Sequence, residues 1–241
     1  MIKQTISFLA LGAIVFSGCS KMGKKLEVNP STITVYSEGT SQITTNVEDA
    51  TFSSVDEFYA TVDENGLVTG EKVGETEIMV SSSSGTATIP VTIMHKYSLY
   101  PDLDPLVGKT VADMTKLLGS NYESSTSSSG QVSHTYKNPT SYCDAILCMM
   151  EGSKIGNVGA LISTAYTSML SKHLIERYTV AGMQNDYFFF LNHDKNVTIV
   201  LNVYSYKYLI VLYMPNSSSK ASCMVDYFAI ENALKGFILD E

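Results

Sequence analysis

The chain has 241 residues and a formal net charge of −8 at pH 7, with 24 acidic against 16 basic side chains. Nucleic-acid binding needs clustered Lys and Arg, so this balance excludes a nucleic-acid partner. Arg177 is the single arginine, which also argues against phosphate recognition by guanidinium groups. A hydrophobic content of 44% is enough for a buried core, and the length suits one or two domains.

Residues 1–18 have the pattern of a secretory signal peptide, with Lys3 near the start and an uncharged run from Ile6 to Phe16. That run is too short to span a bilayer. The following Ser17-Gly18-Cys19 resembles the lipobox of bacterial lipoproteins, although Phe16 is larger than the usual Leu. The resemblance implies cleavage after residue 18 and lipidation of Cys19. Three acyl chains, at about 0.8 kcal/mol per buried methylene, would anchor the protein permanently. An ordinary signal peptide followed by an incidental cysteine is the alternative.

Residues 19–25 form a short basic tether. The inner-membrane retention signal of lipoproteins is an aspartate after the lipidated cysteine, and this chain has Ser20 there. The resemblance therefore implies an outer membrane lipoprotein. Lipoproteins exported to the cell surface carry acidic residues at this point, whereas Lys21, Lys24 and Lys25 are basic, which favours the periplasmic face over the cell surface. Alternatively, the lysines only keep the tether solvated.

Three cysteines remain once Cys19 is lipidated, namely Cys143, Cys148 and Cys223. An odd number leaves at least one thiol free, even in an exported compartment that permits disulfides. A bridge from Cys143 or Cys148 to Cys223 and a set of buried free thiols both stay open.

Residues 26–94 contain short strands of alternating polarity separated by polar turns, which predicts an all-β sandwich. Asn65-Gly66 supplies the positive φ angles of a tight hairpin. The segment resembles the bacterial immunoglobulin-like (Ig-like) group 2 domain through four motifs: Val28–Pro30, Ala60–Val68, Val73–Glu75 and Gly74–Ile78. The family's core tryptophan is absent, and Phe52 takes its place. The resemblance implies a structural or adhesive module that often serves as a spacer.

Residues 95–105 are predicted to be a linker, and residues 106–241 an α+β domain of unknown function. Thr110 and Asp113 form a capping-box pattern that predicts a helix ending at Gly119. Further helices are predicted from Val158 to about His173 and from Tyr227 to Phe237, with strands between them. We therefore expect an antiparallel sheet with helices packed on one face.

The order of one helix followed by several strands occurs twice, at residues 110–149 and 158–214. This order is similar in topology to small lipoprotein modules of the β-lactamase-inhibitor-like class.

Tyr204, Tyr206 and Tyr208 are the candidate binding residues. On one continuous strand they share a face, unless a turn near Ser205 breaks the register. Exposed tyrosines bind sugars or proteins well because they offer a large contact area at low entropic cost. Ordinary packing, with the hydroxyl groups at the rim of the core, is the alternative.

No motif for catalysis, metal binding or a cofactor stands out. The four histidines are scattered, and there is no C-x-x-C pair. Ser217–Lys220 matches S-x-x-K, but the companion motifs of penicillin-binding enzymes are missing. Asp102 and Asp104 are interpreted as solvated charges of the linker.

The sequence therefore predicts a non-enzymatic envelope lipoprotein, in which an Ig-like stalk presents an α+β module that binds a surface protein or glycan in cell adhesion. Its partners would be the membrane, through the lipid on Cys19, and an envelope protein or glycan. A periplasmic outer-membrane assembly or inhibitor-type lipoprotein is one alternative. A hydrolase with an unrecognised site is the other.

Overall fold

The computed structural model describes residues 24–216, which fold into an Ig-like sandwich followed by a domain built on an eight-stranded sheet. The strands of the sandwich are β1 Val28–Asn29, β2 Ile33–Tyr36, β3 Thr40–Gln42, β4 Thr44–Thr45, β5 Thr51–Ser54, β6 Ala60–Val62, β7 Leu67–Gly70, β8 Gly74–Ser82 and β9 Gly85–Met94. The second domain contains α1 Val111–Leu118, β10 Glu123–Thr126, β11 Val132–Thr140, β12 Cys143–Glu151, β13 Lys154–Ser163, α2 Thr167–Ile175, β14 Thr179–Gln184, β15 Tyr187–Leu191, β16 Val197–Val203 and β17 Tyr208–Pro215. Short 3-10 turns occupy Asp104–Leu106 and Thr164–Tyr166.

The sandwich packs a four-stranded sheet, in the order β2-β9-β8-β5, against a three-stranded sheet, in the order β3-β7-β6. Its strands alternate as the sequence predicts, because Ile78 and Val80 are fully buried while Met79 between them is exposed. Phe52 is partly buried and packs against this core.

The hairpin expected at Asn65-Gly66 joins β6 to β7. The Asp63 carboxylate accepts hydrogen bonds from the backbone N–H groups of Asn65 (2.9 Å) and Leu67 (2.8 Å), which fixes the turn. Gly66 has φ +79°, and a Cβ there would strike the Phe52 ring, so both its conformation and its surroundings require glycine.

The eight strands of the second domain are antiparallel and lie in the order β10-β11-β12-β13-β17-β16-β15-β14. Two four-stranded meanders therefore run from the edges inward and meet where β13 pairs with β17, with Val158 opposite Tyr213. Helix α1 precedes the first meander and α2 precedes the second. As predicted, α1 has Thr110 as its N-cap, a capping box with Asp113 and its end at Gly119.

The sheet buries apolar side chains on both of its faces. One face packs against Leu103, Met114, Leu170 and Leu174, and we call it the first face. Its own residues include Ile146, Val158 and Val211. The second face carries the alternate residues of the same strands, including Leu147, Leu161 and Leu212.

The predicted α+β fold class is wrong, because the described chain is nearly all β, with 52% strand and 12% helix. The two helices have eight and nine residues and are too short to form a layer over the sheet. The main error lies in the helix predicted at Val158–His173, because β13 extends through its start to Ser163 and α2 begins only at Thr167. A continuous apolar run such as this one fits a buried strand as well as a buried helix. The predicted helix at Tyr227–Phe237 lies outside the described residues.

The segment predicted as a linker, residues 95–105, contributes to the core of the second domain. Leu99, Tyr100 and Leu103 are fully buried there, and the Tyr100 hydroxyl lies 3.1 Å from that of Tyr213. Neither helix of the described chain has the length and apolarity that crossing a bilayer requires. Cys143 and Cys148 are buried free thiols, and burial raises the pKa of each to about 12. Cys19 and Cys223 lie outside the described residues.

Candidate functional site

A cleft of about 250 Å³ opens where the two domains meet, and we call it the junction cleft. Both domains and the segment between them line it. The lining residues are Phe58, Tyr59, Val73, Gly74, Asp102, Asp104, Pro105, Arg177, Tyr178, Asn192 and His193.

The Ig-like wall of the cleft is aromatic. Phe58 and Tyr59 follow β5 in a turn whose backbone is held by the Asp56 carboxylate, which accepts a hydrogen bond from the Phe58 N–H at 3.0 Å. Gly74 has φ +149°, and a Cβ at this position would overlap the Tyr59 ring. The missing side chain therefore lets the Tyr59 ring lie close to the start of β8.

His193, in the loop between β15 and β16, reaches across to this aromatic wall. Its Nε2 lies 2.9 Å from Asp56 Oδ2, and its Nδ1 lies 3.2 Å from Asp194 Oδ1. Its ring centroid lies 4.7 Å from that of Phe58 and 5.2 Å from that of Tyr59. One loop of the second domain thus contacts the Ig-like domain through both a polar contact with Asp56 and ring packing.

Asp104 provides the polar floor of the cleft. Its Oδ1 accepts a hydrogen bond from the Tyr178 hydroxyl at 2.8 Å, and its Oδ2 accepts a longer one from Asn192 Nδ2 at 3.4 Å. Burial, together with repulsion from Asp102, raises the pKa of the Asp104 carboxyl above its ordinary value. The Asn192 side-chain oxygen accepts from the N–H groups of Asn196 and Val197, which orders the loop that carries His193.

Arg177, which lines the cleft, and its neighbour Glu176 join the domains. Both side chains are only 5% exposed, and Arg177 Nη1 donates to Glu176 Oε1 at 2.7 Å. Arg177 Nε also donates to Asp102 at 2.6 Å. Burial alone would lower the pKa of Arg177, but Asp102 and Glu176 outweigh it and raise that pKa, so the guanidinium stays charged.

The same Glu176 carboxylate receives two backbone N–H groups of the connecting segment. Lys96 donates to Oε2 and Tyr97 to Oε1, both at 3.0 Å. The backbone carbonyl of Glu176 accepts from the Val73 N–H of the Ig-like domain at 2.8 Å. These bonds fix the two domains against each other, so the junction cleft has a defined shape.

The polar groups of the lining are two carboxylates, an amide, a phenol, an imidazole and a guanidinium, and they face an aromatic wall. A hydroxyl-rich or cationic group fits such a lining, because carboxylates and amides pair with hydroxyl or amino groups while aromatic faces pack on C–H groups or cations. The volume lies somewhat below the range of about 300–1000 Å³ that is usual for drug-sized ligands. The cleft is therefore sized for one sugar unit or one side chain.

The structure does not place the three candidate tyrosines on one exposed face. Strand β16 ends at Val203 and β17 begins at Tyr208, so Tyr204 and Tyr206 lie in the turn between them. Tyr206 is 96% exposed, whereas Tyr208 is 5% exposed and packs on the second face of the sheet. Tyr206 alone keeps the geometry of a binding anchor, and its binding role stays a prediction.

Sequence reasoning missed most of the junction cleft. The sequence predicts that Asp102 and Asp104 are solvated linker charges, whereas in the structure Arg177 donates to Asp102 and Tyr178 donates to Asp104. His193 lies in the loop between β15 and β16, and the sequence marks it only as one of four scattered histidines. No local pattern indicates that these residues meet, because Asp104 and His193 are far apart in sequence and the domain packing brings them together.

In the part of the chain that the structure describes, no group of three or more His, Cys, Asp or Glu side chains is placed to hold a metal ion. The Ser217–Lys220 motif lies outside that part.

Comparison with known proteins gives one family assignment and several weak likenesses. No curated protein matches this chain. Domains 5–6 of the S-layer protein SbsC align at 12% identity, covering 82% of this chain and 86% of that one, with a TM-score of 0.26. An intimin mutant of EHEC O157:H7 aligns at 13% identity over 78% of this chain and 98% of that one, with a TM-score of 0.25. TM-scores this low support no conclusion. Residues 24–93, in contrast, match the family model of the bacterial Ig-like domain (group 2), so the N-terminal domain of this chain is a bacterial Ig-like domain.

Proposed function

We propose that this protein is a non-enzymatic cell-envelope lipoprotein of the adhesion type, whose two docked domains together bind an envelope protein or glycan. The observation that carries the proposal is the junction cleft, because residues of both domains line it. The membership of residues 24–93 in the bacterial Ig-like family supports a structural or adhesive role.

The ligand group that best fits the cleft is a single sugar unit at the end of a glycan. Asp104 and Asn192 would pair with its hydroxyl groups, and Tyr59 would pack on its C–H face. Tyr206, on the exposed turn between β16 and β17, is a second contact that a larger protein partner could reach.

A screen of the chain from Ser20 onward, which lacks the lipid, against envelope glycans and envelope proteins tests the proposal. We expect at least one ligand that binds saturably. The variants Tyr206→Ser and Asp104→Asn then show whether the ligand binds at the exposed turn or in the junction cleft. Only the variant at the surface that contacts the ligand should weaken binding. A complete screen without a saturable ligand would contradict the proposal.

The predicted lipid anchor is a separate part of the proposal and has its own test. Metabolic labelling with a radioactive or clickable palmitate should mark the wild-type chain and leave Cys19→Ala unlabelled. Labelling of both the wild type and Cys19→Ala, or of neither, would contradict lipidation at Cys19.

A periplasmic assembly or inhibitor-type lipoprotein is the second candidate. The basic residues Lys21, Lys24 and Lys25 favour it, because they differ from the acidic signal of surface-exported lipoproteins. Protease added to intact cells separates the two candidates. Digestion of the chain from outside would exclude the periplasmic role, and protection that ends only when the outer membrane is opened would support it.

A further inference from the structure

A second cleft, of about 440 Å³, lies beside the Glu176–Arg177 pair, and we call it the lysine cleft. Glu176 lines this cleft and Arg177 lines the junction cleft, so the ion pair lies between the two. Three lysines line it, one from each part of the chain that meets here: Lys72 from the turn between β7 and β8, Lys96 from the connecting segment and Lys172 from the last turn of α2. Its volume lies within the range of about 300–1000 Å³ that is usual for small-molecule ligands.

Two of the three ammonium groups have no carboxylate partner within residues 24–216. Lys72 Nζ donates to the backbone carbonyl of Ile175 at 2.7 Å. Lys172 Nζ lies over the Tyr97 ring, 5.0 Å from its centroid. A carbonyl and an aromatic ring stabilise an ammonium group without neutralising its charge. Because an ammonium group has three N–H donors, both lysines keep donors for a ligand.

The acidic residues of the cleft do not neutralise the lysines. Glu176 is already paired with Arg177 and also accepts two backbone N–H groups. Glu38 contacts Lys96 at 3.4 Å, but the Glu38 side chain is 86% exposed, so this pair contributes little. Glu71 is exposed and forms no ion pair in the described part of the chain.

The remaining charges of the cleft have the opposite sign to the molecule as a whole. The three lysines stand against the two carboxylates of Glu38 and Glu71, which leaves one net positive charge. The whole chain, in contrast, has a formal net charge of −8. An anion is therefore repelled by most of the surface and attracted at this cleft.

A carboxylate on a sugar is the anion that fits this balance. Its single negative charge equals the net charge of the cleft, whereas a phosphate monoester carries about −1.5 to −2 at pH 7. Lysine binds an anion as a point charge, so the lack of a guanidinium fork is no obstacle. The carboxylates of Glu38 and Glu71 can accept hydrogen bonds from sugar hydroxyl groups.

We propose that the lysine cleft is a second ligand site, at which Lys72, Lys96 and Lys172 bind the carboxylate of an acidic sugar unit. It differs from the junction cleft in the sign of its free charges, because Asp102 and Asp104 line the junction cleft. The proposal does not depend on whether the junction cleft binds a ligand.

Titration of the protein with sodium glucuronate, followed by the nuclear magnetic resonance shifts of the backbone amides, tests the proposal. We expect saturable shifts at residues 37–38, 71–72, 96–97 and 172–176. Glucose, which lacks the carboxylate, should cause no saturable shift there, and inorganic phosphate should bind more weakly than glucuronate. Shifts that do not saturate, equal shifts with glucose, or phosphate binding at least as tight as that of glucuronate would overturn the proposal.

Substitution of single lysines gives an independent readout. Lys172→Gln should raise the Kd for glucuronate about tenfold, because it removes a charged donor from the cleft. Lys96→Gln should weaken binding too, and it leaves the backbone bond of residue 96 to Glu176 in place.

Lys116→Gln is the matched control, since Lys116 is also an exposed lysine in the last turn of a helix, here α1. Its Kd should equal that of the wild type. An unchanged Kd in both cleft variants, or the same loss in Lys116→Gln, would contradict binding at the lysine cleft.

Discussion

Glu176 and Arg177 form a buried ion pair. Removing one partner of a buried ion pair destabilises the fold strongly, because the remaining charge stays buried without compensation. Here the Glu176 carboxylate has three donors, the Arg177 guanidinium and the backbone N–H groups of Lys96 and Tyr97. Its negative charge therefore orders the connecting segment as well as the arginine.

Replacing Glu176 by Gln should destabilise the protein strongly. One of the two carboxylate oxygens becomes an NH₂ group that faces a donor, and Arg177 loses one of its two acidic partners. Breaking a buried pair costs about 3–5 kcal/mol, and because Arg177 keeps Asp102 we expect about 2–3 kcal/mol in the free energy of unfolding in urea.

Glu38→Gln is the matched control for this substitution. Glu38 also contacts Lys96, at 3.4 Å, but its side chain is 86% exposed. Exposed pairs contribute little, so the unfolding free energy of Glu38→Gln should stay close to that of the wild type. A similar loss in both variants would show that burial does not determine the effect.

His173 makes the stability of the protein depend on pH. Burial, helped by the nearby Arg177 charge, lowers the pKa of His173 to about 3 in the folded chain, against 6.5 when unfolded. Between these pH values the unfolded chain binds a proton that the folded chain does not, so stability falls as the pH falls from 6.5 towards 3. The expected slope is about 1.4 kcal/mol per pH unit.

His173→Phe should remove this contribution and keep the ring packing against Tyr100. The Tyr97 carbonyl that His173 Nδ1 contacts also accepts from Arg177, so the substitution leaves no orphaned acceptor. We predict that urea unfolding between pH 6 and pH 4 shows a shallower loss of stability for His173→Phe. Parallel pH profiles of the two proteins would contradict a neutral, buried His173.

At the scale of the elements, the sequence predicted correctly those features that depend on residues close together in the chain. The strands of the Ig-like domain alternate visibly, and the turn at Asn65-Gly66 and the cap of α1 at Thr110 depend on neighbouring residues alone. The sequence predicts a helix at β13 because both sides of this strand are buried, which removes the alternation that identifies a strand. Its pairing with β17 depends on residues about fifty positions away.

The same reason explains why the candidate site was missed. No sequence motif connects the residues of the cleft, which are a carboxylate in a linker-like segment, a histidine in a hairpin loop and a tyrosine in a turn. Asp104, His193 and Tyr59 become neighbours only after two domains have folded and docked. The hypothesis of a binding surface at Tyr204, Tyr206 and Tyr208 likewise depended on a strand continuing past Ser205, and the chain turns there.

The loop between β15 and β16 holds the Ig-like domain at the cleft, so His193→Ala should loosen the junction. The change removes the contact with Asp56 and the packing on Phe58 and Tyr59. We expect faster amide hydrogen exchange at residues 55–59 and 192–196, while exchange in β12 and β13 stays unchanged. Unchanged exchange in both loops would show that His193 does not hold the junction together.

At the scale of the whole molecule, the two domains should unfold as one unit. Besides the Glu176 bonds, Lys72 Nζ donates to the Ile175 carbonyl at 2.7 Å, so contacts across the junction come from several elements. Calorimetry of the wild type should show one cooperative transition. The double variant Glu176→Gln/His193→Ala should separate it into two, and two transitions in the wild type would contradict the coupling of the domains.

The central claim is that the junction cleft binds the ligand, and Asp104→Asn tests it most directly. The change keeps the size of the side chain and replaces an acceptor by a donor on the cleft floor. Asp186→Asn makes the same change in the exposed turn at the other end of β15. For the ligand found by screening, we predict that Asp104→Asn raises the Kd at least tenfold, about 1.4 kcal/mol, while Asp186→Asn leaves it unchanged. Equal Kd values for the wild type and Asp104→Asn would contradict the claim.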